Sequence, residues 1–287
     1  STPKPSSAAS DVYKRQMTMS IRLIATDMDG TFLNNEHDYD HHRFKKVFDK
    51  LTKNGVQLVA ASGSSYPRLR REFAAVADQM IFISQNGSVI HYGDELIDCF
   101  PLHHDDLRAV LVALTRLYGD DDINQLVISG PTTSFVDQSM DEKSFAIVKL
   151  FYENVKRVPN LQDIFKYPLN EPLTKISVNF ADHIDITDVT SELDNLLPAN
   201  LIMENSGFNT ELIGDAHATK RNALMAIASQ FNLRQNEIMT FGDNENDLGM
   251  LTLTSHSYAM KNAALPIRLA ASNVTRLTNQ ESGGVLF

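Results

Sequence analysis

Apolar and polar positions along the chain predict strands and helices in alternation. The run that ends at Asp27, residues 56–61 and residues 80–84 are short and apolar, as is typical of strands buried on both faces of a parallel sheet. Between them, residues 40–54 carry apolar side chains at helical spacing and are followed by a glycine, and residues 67–77 begin with a proline. This alternation predicts right-handed βαβ units and hence an α/β fold with a doubly wound parallel sheet.

This pattern is interrupted after residue 87 and resumes near residue 214. Residues 89–100 contain two strand-like stretches around a Gly-Asp turn, which predicts a β-hairpin. Helical and strand-like stretches then alternate over a length too great for a loop, so we expect an inserted α+β domain with its own core. The helical stretches are residues 105–118, 142–154 and 186–197, and the strand-like ones are residues 125–129, 175–180 and 201–204.

The sheet pattern returns with a helix over residues 218–231 and a buried strand over residues 237–241. Residues 1–18 are rich in Ser, Ala and charge and lack the apolar centre of a signal peptide, so we expect a disordered extension or one added during cloning. The predicted organisation is therefore a core formed by residues 19–87 and 214–287, interrupted by an inserted cap over residues 88–213.

The composition argues against several classes of protein. Of the 287 residues, 43% are hydrophobic and 22% are charged, which is ordinary for a globular protein of one or two domains. The formal net charge of -10 argues against unaided binding to nucleic acid or to an anionic membrane, because both need a basic face. Cys99 is the single cysteine, so we expect neither an intramolecular disulfide nor a cysteine-based zinc site. No apolar run reaches the roughly 18 residues that span a bilayer, and we expect a cytoplasmic protein of undetermined oligomeric state.

Three predicted strands end in polar clusters. The carboxyl ends of parallel strands meet at one edge of a sheet, where ligands bind in open α/β sheets, so we expect the clusters to lie close together. Two carboxylates two residues apart repel each other unless a cation joins them, and an all-oxygen site favours Mg²⁺. The alternative at the first cluster is an acidic turn that caps a helix. The clusters are Asp27 with Asp29, Ser62 with Gly63, and Asp243 with Asp247.

Lys220 lies just inside the start of a predicted helix and adds a cation to this set. Carboxylates, a lysine, a hydroxyl and Mg²⁺ are the groups that phosphoryl transfer requires, because the metal and the lysine balance charge while an oxygen nucleophile attacks in line. Aspartate can accept a phosphoryl group covalently, and a second carboxylate two residues further on can serve as general acid. The residues therefore predict a phosphoryl-transfer site.

The motifs resemble those of the haloacid dehalogenase-like hydrolase superfamily, and within it the Cof-type sugar-phosphatase branch, subfamily IIB, with a large C2 cap between the second and third motifs. The resemblance runs from about residue 21 to the C-terminus. Residues 27–33 (Asp-Met-Asp-Gly-Thr-Phe-Leu) match the first motif, residues 61–63 the second, Lys220 the third and residues 242–247 the fourth. Asn86-Gly87 and Lys261-Asn262-Ala263 are similar to further signatures of the family.

The resemblance implies catalytic and phosphate-binding roles for these residues. Asp27 would be the nucleophile that forms an aspartyl-phosphate, and Asp29 would protonate the leaving alcohol and then activate the hydrolytic water. Ser62 and the backbone N–H of Gly63 would hold phosphoryl oxygens. Lys220 would neutralise Asp27 and the transferring group, and Asn246 could also reach the phosphoryl group.

The resemblance also implies a metal site. Mg²⁺ would be bound by the side chain of Asp27, the backbone carbonyl of Asp29 and the carboxylate of Asp243. Asp247 would orient these groups without binding the ion. Two positions depart from the family pattern, since Ser64 stands where many relatives have arginine and Arg221 where glycine is frequent. The chain also ends at residue 287, where relatives usually continue into a last helix.

The substrate stays open at this point. The motifs favour a Mg²⁺-dependent phosphatase for small phosphomonoesters, sugar phosphates first, with FMN or pyridoxal phosphate as the alternative. A phosphomutase carries similar motifs and is a weaker option. From another class, a non-catalytic phospho-ligand binding protein or a signalling receiver would also use an acidic pocket, although a receiver needs neither a cap nor an acid at Asp29.

Overall fold

The structure is a computed structural model and describes residues 21–119 and 121–282. The described chain divides into two compact units, one formed by residues 21–59 and 226–282 and the other by residues 60–225 without residue 120. The extension predicted at residues 1–18 and the last residues, 283–287, lie outside the described residues. Among the described residues, no helix combines the length and the apolar character needed to cross a membrane.

The strands and helices are numbered in chain order. The strands are β1 Leu23–Asp27, β2 Gln57–Ala61, β3 Ile81–Ser84, β4 Val89–Tyr92, β5 Glu95–Cys99, β6 Ile123–Ser129, β7 Ser134–Asp137, β8 Val155–Val158, β9 Lys175–Phe180, β10 Leu201–Asn205, β11 Thr210–Asp215, β12 Ile238–Gly242, β13 His256–Ala259 and β14 Asn273–Val274. The α-helices are α1 His41–Lys53, α2 Tyr66–Glu72, α3 His104–Leu117, α4 Glu142–Phe151, α5 Ile186–Asp194, α6 Lys220–Gln230, α7 Leu248–Leu251, α8 Leu265–Ala270 and α9 Asn279–Ser282.

The first unit is built on parallel strands in the order β14-β13-β12-β1. Leu23 lies opposite Ile238 and Thr26 opposite Phe241, so β1 and β12 end at the same edge. Both strands are almost fully buried, as their continuous apolar runs predict. The predicted α/β class with a parallel-sheet core is confirmed.

Helix α1 follows β1 and shows how the sequence sets its ends. The Asp40 side chain accepts a hydrogen bond from the Arg43 N–H, which caps the first turn. Gly55 has a φ of +71°, as expected of a glycine just past a helix end. Phe44 and Phe48 are buried, so the apolar stripe that predicts this helix is also the face that packs.

The second unit contains two groups of strands. β3, β4 and β5 are consecutive antiparallel neighbours, and β2 runs across the division between the units. The other strands of this unit form a six-stranded sheet, counted in the described part of the chain, in the order β10-β11-β9-β6-β7-β8. Its pairs are antiparallel except β7 with β8, and it packs with α3 and α5 around a separate apolar core. An α+β insert with a core of its own therefore exists in this region.

Several elements differ from the sequence-based expectation. The hairpin over residues 89–100 forms, but β4 pairs with β3 and so adds two strands beside it. The six-stranded sheet therefore starts well after the predicted cap boundary at residue 88. Strand pairing is non-local, and the pattern that predicts a hairpin does not say where the hairpin docks. Helix α2 ends at Glu72 rather than near residue 77, because the chain turns at Phe73 and buries Phe73 and Val76 outside the helix.

Candidate functional site

Three aspartates from two strand ends form a carboxylate cluster in the first unit. Asp27 is the last residue of β1, Asp243 follows β12, and Asp247 closes the short 3-10 turn Glu245–Asp247. Each offers a carboxylate oxygen, and these oxygens lie within 4.8 Å of one another. Asp27 and Asp247 are buried. Three acidic groups this close, two of them removed from water, favour a shared cation.

Backbone amides hold Asp247 in place. Its Oδ2 accepts hydrogen bonds from the N–H groups of Asp243 at 2.9 Å and Asn244 at 3.1 Å, and its side chain is fully buried. The loop after β12 is therefore wrapped around one carboxylate oxygen. These hydrogen bonds fix the backbone that carries Asp243. They are compatible with the predicted role of Asp247, which is to orient the neighbouring groups.

Two glycines leave room for the carboxylates. Gly30 has a φ of +83°, and a Cβ there would collide with Oδ2 of Asp243. A Cβ at Gly242 would lie 2.5 Å from the Cβ of Asp247. Only glycine therefore fits at these two positions while the acids keep their places. The Asn262 side chain adds a 2.8 Å hydrogen bond from Nδ2 to the Gly30 carbonyl and so holds the first turn from outside.

Two contacts around the carboxylate cluster in the first unit were not predicted. The Thr31 hydroxyl donates to Oδ1 of Asp243 at 2.7 Å and thereby ties the turn after β1 to the loop after β12. Asp29 points elsewhere: its side chain is 56% exposed, and its Oδ1 lies 3.0 Å from Nδ1 of His37. Thr31 belongs to the first motif, which was a usable signal. His37 has a φ of +55° in a loop and no pattern marks it.

In the second unit, a pair of turns positions Ser62 and Gly63. The Asn86 N–H donates to the Ser62 carbonyl at 3.0 Å, and the Gln85 N–H donates to the Ser64 carbonyl at 2.9 Å. Gln85 and Asn86 both have positive φ, +52° and +58°. The turn after β3 is thus folded tightly against the turn after β2. Ser62 is buried and Gly63 is exposed, so the backbone of Gly63 is open to a ligand.

The same turn fixes the start of helix α6. A Cβ at Gly87, whose φ is +109°, would collide with the backbone of Thr219 and would lie 2.8 Å from the backbone nitrogen of Lys220. Lys220 is the first residue of α6, and only 1% of it is exposed. Ser62, Gly63 and Lys220 are therefore assembled around the Asn86-Gly87 turn. Asn246, the remaining predicted contact, lies exposed in the turn before Asp247 in the first unit.

Comparison with known proteins identifies the family of this chain. A family model described as haloacid dehalogenase-like hydrolase matches residues 24–286. The chain is 28% identical to 5-amino-6-(5-phospho-D-ribitylamino)uracil phosphatase YbjI of Escherichia coli (strain K12), over 93% of this chain and 94% of that protein. It is 26% identical to the HMP-PP phosphatase of Escherichia coli O157:H7, over 86% of each chain. Among solved structures it is similar to SMU.1108c from Streptococcus mutans UA159, with a TM-score of 0.77 and 26% identity over 93% of this chain and 97% of that one.

Proposed function

Because the chain belongs to the haloacid dehalogenase-like hydrolases, we propose that it hydrolyses small phosphomonoesters, sugar phosphates above all, in a Mg²⁺-dependent reaction. The protein is a phosphoric monoester hydrolase of the Cof type, and its relatives are named as phosphatases. The observation that carries the proposal is the carboxylate cluster of Asp27, Asp243 and Asp247 at the ends of β1 and β12. The cytoplasmic location stays a prediction.

The donor set fits Mg²⁺. Every donor in the cluster is a carboxylate oxygen, and hard oxygen ligands are what this ion prefers. Asp27 and Asp243 would hold the ion together with the backbone carbonyl of Asp29, while Asp247 orients the loop. Once bound, the ion would balance negative charge on the transferring phosphoryl group.

The proposed chemistry runs through two aspartates. A carboxylate oxygen of Asp27 attacks phosphorus in line, and the bond to the leaving oxygen breaks. Asp29 gives its proton to that oxygen and afterwards takes a proton from the water that hydrolyses the aspartyl-phosphate. The exposure of Asp29 supports this part, because an acid that exchanges protons with substrate and water cannot be sealed in the core.

Three further residues would bind the phosphoryl group. We assign Ser62 and the N–H of Gly63 to its oxygens, with Asn246 as an additional contact. Lys220 would balance charge on Asp27 and on the transferring group. Lys220 is only 1% exposed, and in such water-excluded surroundings the attraction between its ammonium and phosphoryl oxygens would be strong.

The preference for sugar phosphates rests on a relative. The substrate named for the Escherichia coli relative contains a 5-phospho-D-ribityl chain, a polyol phosphate. The relative covers nearly the whole of both chains, insert included. We therefore place phosphorylated sugars and polyols first, ahead of FMN and pyridoxal phosphate.

The test is release of phosphate with and without Mg²⁺ from a panel of sugar phosphates, FMN and pyridoxal phosphate. We expect Asp27→Asn to lower kcat/KM by at least about 1,000-fold, because the nucleophile is removed while the shape is kept. Asp49→Asn is the matched control, since Asp49 is an exposed helix residue whose carboxylate pairs with Lys45 at the surface. Full activity in the Asp27→Asn protein, or no release from any substrate by the folded wild type, would contradict the proposal.

A further inference from the structure

A lysine is buried in the six-stranded sheet of the insert. Lys175 is the first residue of β9, between Ser129 of β6 and Gly214 of β11. Only 5% of the residue is exposed. Its side chain lies across Gly214, where a Cβ would come within 2.6 Å of Nζ. A glycine opposite the lysine therefore provides the space that the ammonium occupies.

The ammonium of Lys175 has a nearby carboxylate but no hydrogen bond to it. Nζ lies 3.9 Å from Oε2 of Glu204, and none of the hydrogen bonds found among the described residues involves Nζ. Burial lowers the pKa of Lys175, while the charges of Glu204 and Asp215 oppose that shift. Glu204 itself is held by Asn86, whose Nδ2 donates to Oε2 at 3.1 Å. A fixed acceptor thus faces a donor across a gap.

The lysine also lines a cavity that reaches Gly63, in the turn after β2. Gly63, Ser65, Gln85, Tyr152 and Lys175 are among the residues that line this cavity. Gln85 is held on both sides, donating to the Gly130 carbonyl at 2.9 Å and accepting from the Thr174 hydroxyl at 2.8 Å. The Ser65 hydroxyl oxygen is buried without a hydrogen-bond partner in the described structure. The cavity therefore offers unused polar groups next to the site proposed for the phosphoryl group.

We propose that Lys175 and Glu204 together bind one hydroxyl group of the leaving alcohol and thereby select polyol and sugar phosphates. The geometry fits: an oxygen at about 2.9 Å from the ammonium and about 2.7 Å from the carboxylate spans a 3.9 Å gap with an angle of about 90° at that oxygen. A hydroxyl accepts from the ammonium and donates to the carboxylate, which no purely anionic group can do. This inference rests on the proposed function.

Charge separates a hydroxyl from the other groups that could enter. A second anionic group on the substrate would meet Glu204 beside the lysine and would be repelled. Size excludes a flavin from this cavity, because a volume of about 30 Å³ has room for about one hydroxyl group or water molecule. The Lys175–Glu204 pair therefore favours polyol and sugar phosphates as substrates over FMN and pyridoxal phosphate.

The experiment compares two substrates, D-sorbitol 6-phosphate and 4-nitrophenyl phosphate, whose leaving group has no hydroxyl. The measured quantity is the ratio of their kcat/KM values in the wild type, Lys175→Met and Glu204→Gln. We expect each substitution to lower this ratio at least about 10-fold, since a buried site built for a hydroxyl loses its matched partner. Lys156→Met, at an exposed position of β8 in the same sheet, is the matched control and should keep the wild-type ratio.

Binding gives a second measurement that does not depend on turnover. We expect calorimetry to show D-sorbitol 6-phosphate binding at least about 10-fold more tightly to Asp27→Asn than to Asp27→Asn/Lys175→Met, with both proteins folded by circular dichroism. A ratio unchanged within about 3-fold in both single variants, with equal binding in this pair, would mean that the gap holds only a bridging water, and would overturn the inference. In that case the proposed function stands if both substrates are hydrolysed. Wild type that hydrolyses neither substrate contradicts the function itself, and the calorimetric comparison still decides whether Lys175 binds the hydroxyl.

Discussion

The carboxylate cluster and the Lys175–Glu204 pair are both largely buried polar sites, yet they are built in opposite ways. The cluster uses residues at two strand ends, and each end carries its own glycine and its own hydrogen bonds within a few residues. Lys175 and Glu204 lie on different strands of the insert, β9 and β10, with β11 between them in the sheet. Short motifs can specify the first kind of site, whereas the second kind depends on the register of a whole sheet.

Gly30→Ala tests whether the cluster depends on local backbone room. We expect kcat/KM to fall at least about 100-fold, or about 3 kcal/mol, because the new Cβ would displace the Asp243 carboxylate. Gly207→Ala is the matched control: its φ is also +83°, but nothing lies within 4 Å of its Cβ position. That control should lose about 1 kcal/mol of stability and keep its activity. Equal effects of the two substitutions on kcat/KM would show that backbone strain alone, not crowding of Asp243, controls the cluster.

His91 extends the comparison to a further buried polar group of the second unit, a histidine that is neutral in the folded protein. Burial lowers the pKa of His91 to about 4, which the charge of Asp94 only partly opposes, and the ring stacks on Tyr66 at 3.6 Å. The unfolded chain then binds more protons than the folded one between about pH 6.5 and 4. The stability that depends on neutral His91 is therefore fully present above about pH 6.5. Up to about 3 kcal/mol of the free energy of unfolding is lost as the pH falls to 4.

The measurement is the urea stability of wild type and His91→Phe between pH 7 and pH 4. We expect the variant to lose less stability than the wild type over this range, because phenylalanine keeps the stacking and cannot be protonated. His41→Gln is the control, since His41 is exposed and pairs with Asp38 at the surface. Parallel pH profiles for wild type and His91→Phe would remove His91 as a source of acid sensitivity.

Gln85→Met gives the smallest expected effect. It tests the hydrogen bonds that Gln85 makes beside the start of β9, the strand of Lys175. Gln85 bonds to Gly130 and to Thr174, the residue before Lys175. Methionine keeps the length but leaves the buried Gly130 carbonyl unpaired, so we expect a loss of about 1–2 kcal/mol in urea unfolding. Gln138→Met, at an exposed position, should cost less than about 0.5 kcal/mol. Equal losses in the two variants would mean that these bonds contribute nothing net.

Much of the fold follows from local periodicity. The buried strands β1, β2, β3 and β12 and the helix α1 are readable because a single segment carries each pattern and its end signal. The periodicity does not predict strands β7, β8 and β11, since they mix polar with apolar residues. Their apolar face exists only once the neighbouring strands of the insert are in place, so burial that decides them is not local.

The site divides in the same way. The sequence places Asp27, Asp243 and Asp247 together because their strands are parallel, and the structure brings their oxygens within 4.8 Å. Their assigned roles stay predictions. The sequence pattern does not predict a site role for His37, which contacts Asp29 through a loop. Nor does it predict one for Lys175, which lies near Glu204 across the sheet of the insert. Both contacts join residues whose separation along the chain has no periodic meaning.

The contact between Gly87 and the backbone of Thr219 has a consequence for the history of this chain. The polypeptide leaves that point after the turn at Asn86-Gly87 and comes back to it at the start of α6, so the two ends of the intervening segment are neighbours. Beyond the β4–β5 hairpin, which pairs with β3, a segment whose ends meet can be lengthened, shortened or exchanged without moving the residues on either side of it. One hydrolytic centre could in this way be combined with many different inserts, and new specificities could arise without new chemistry.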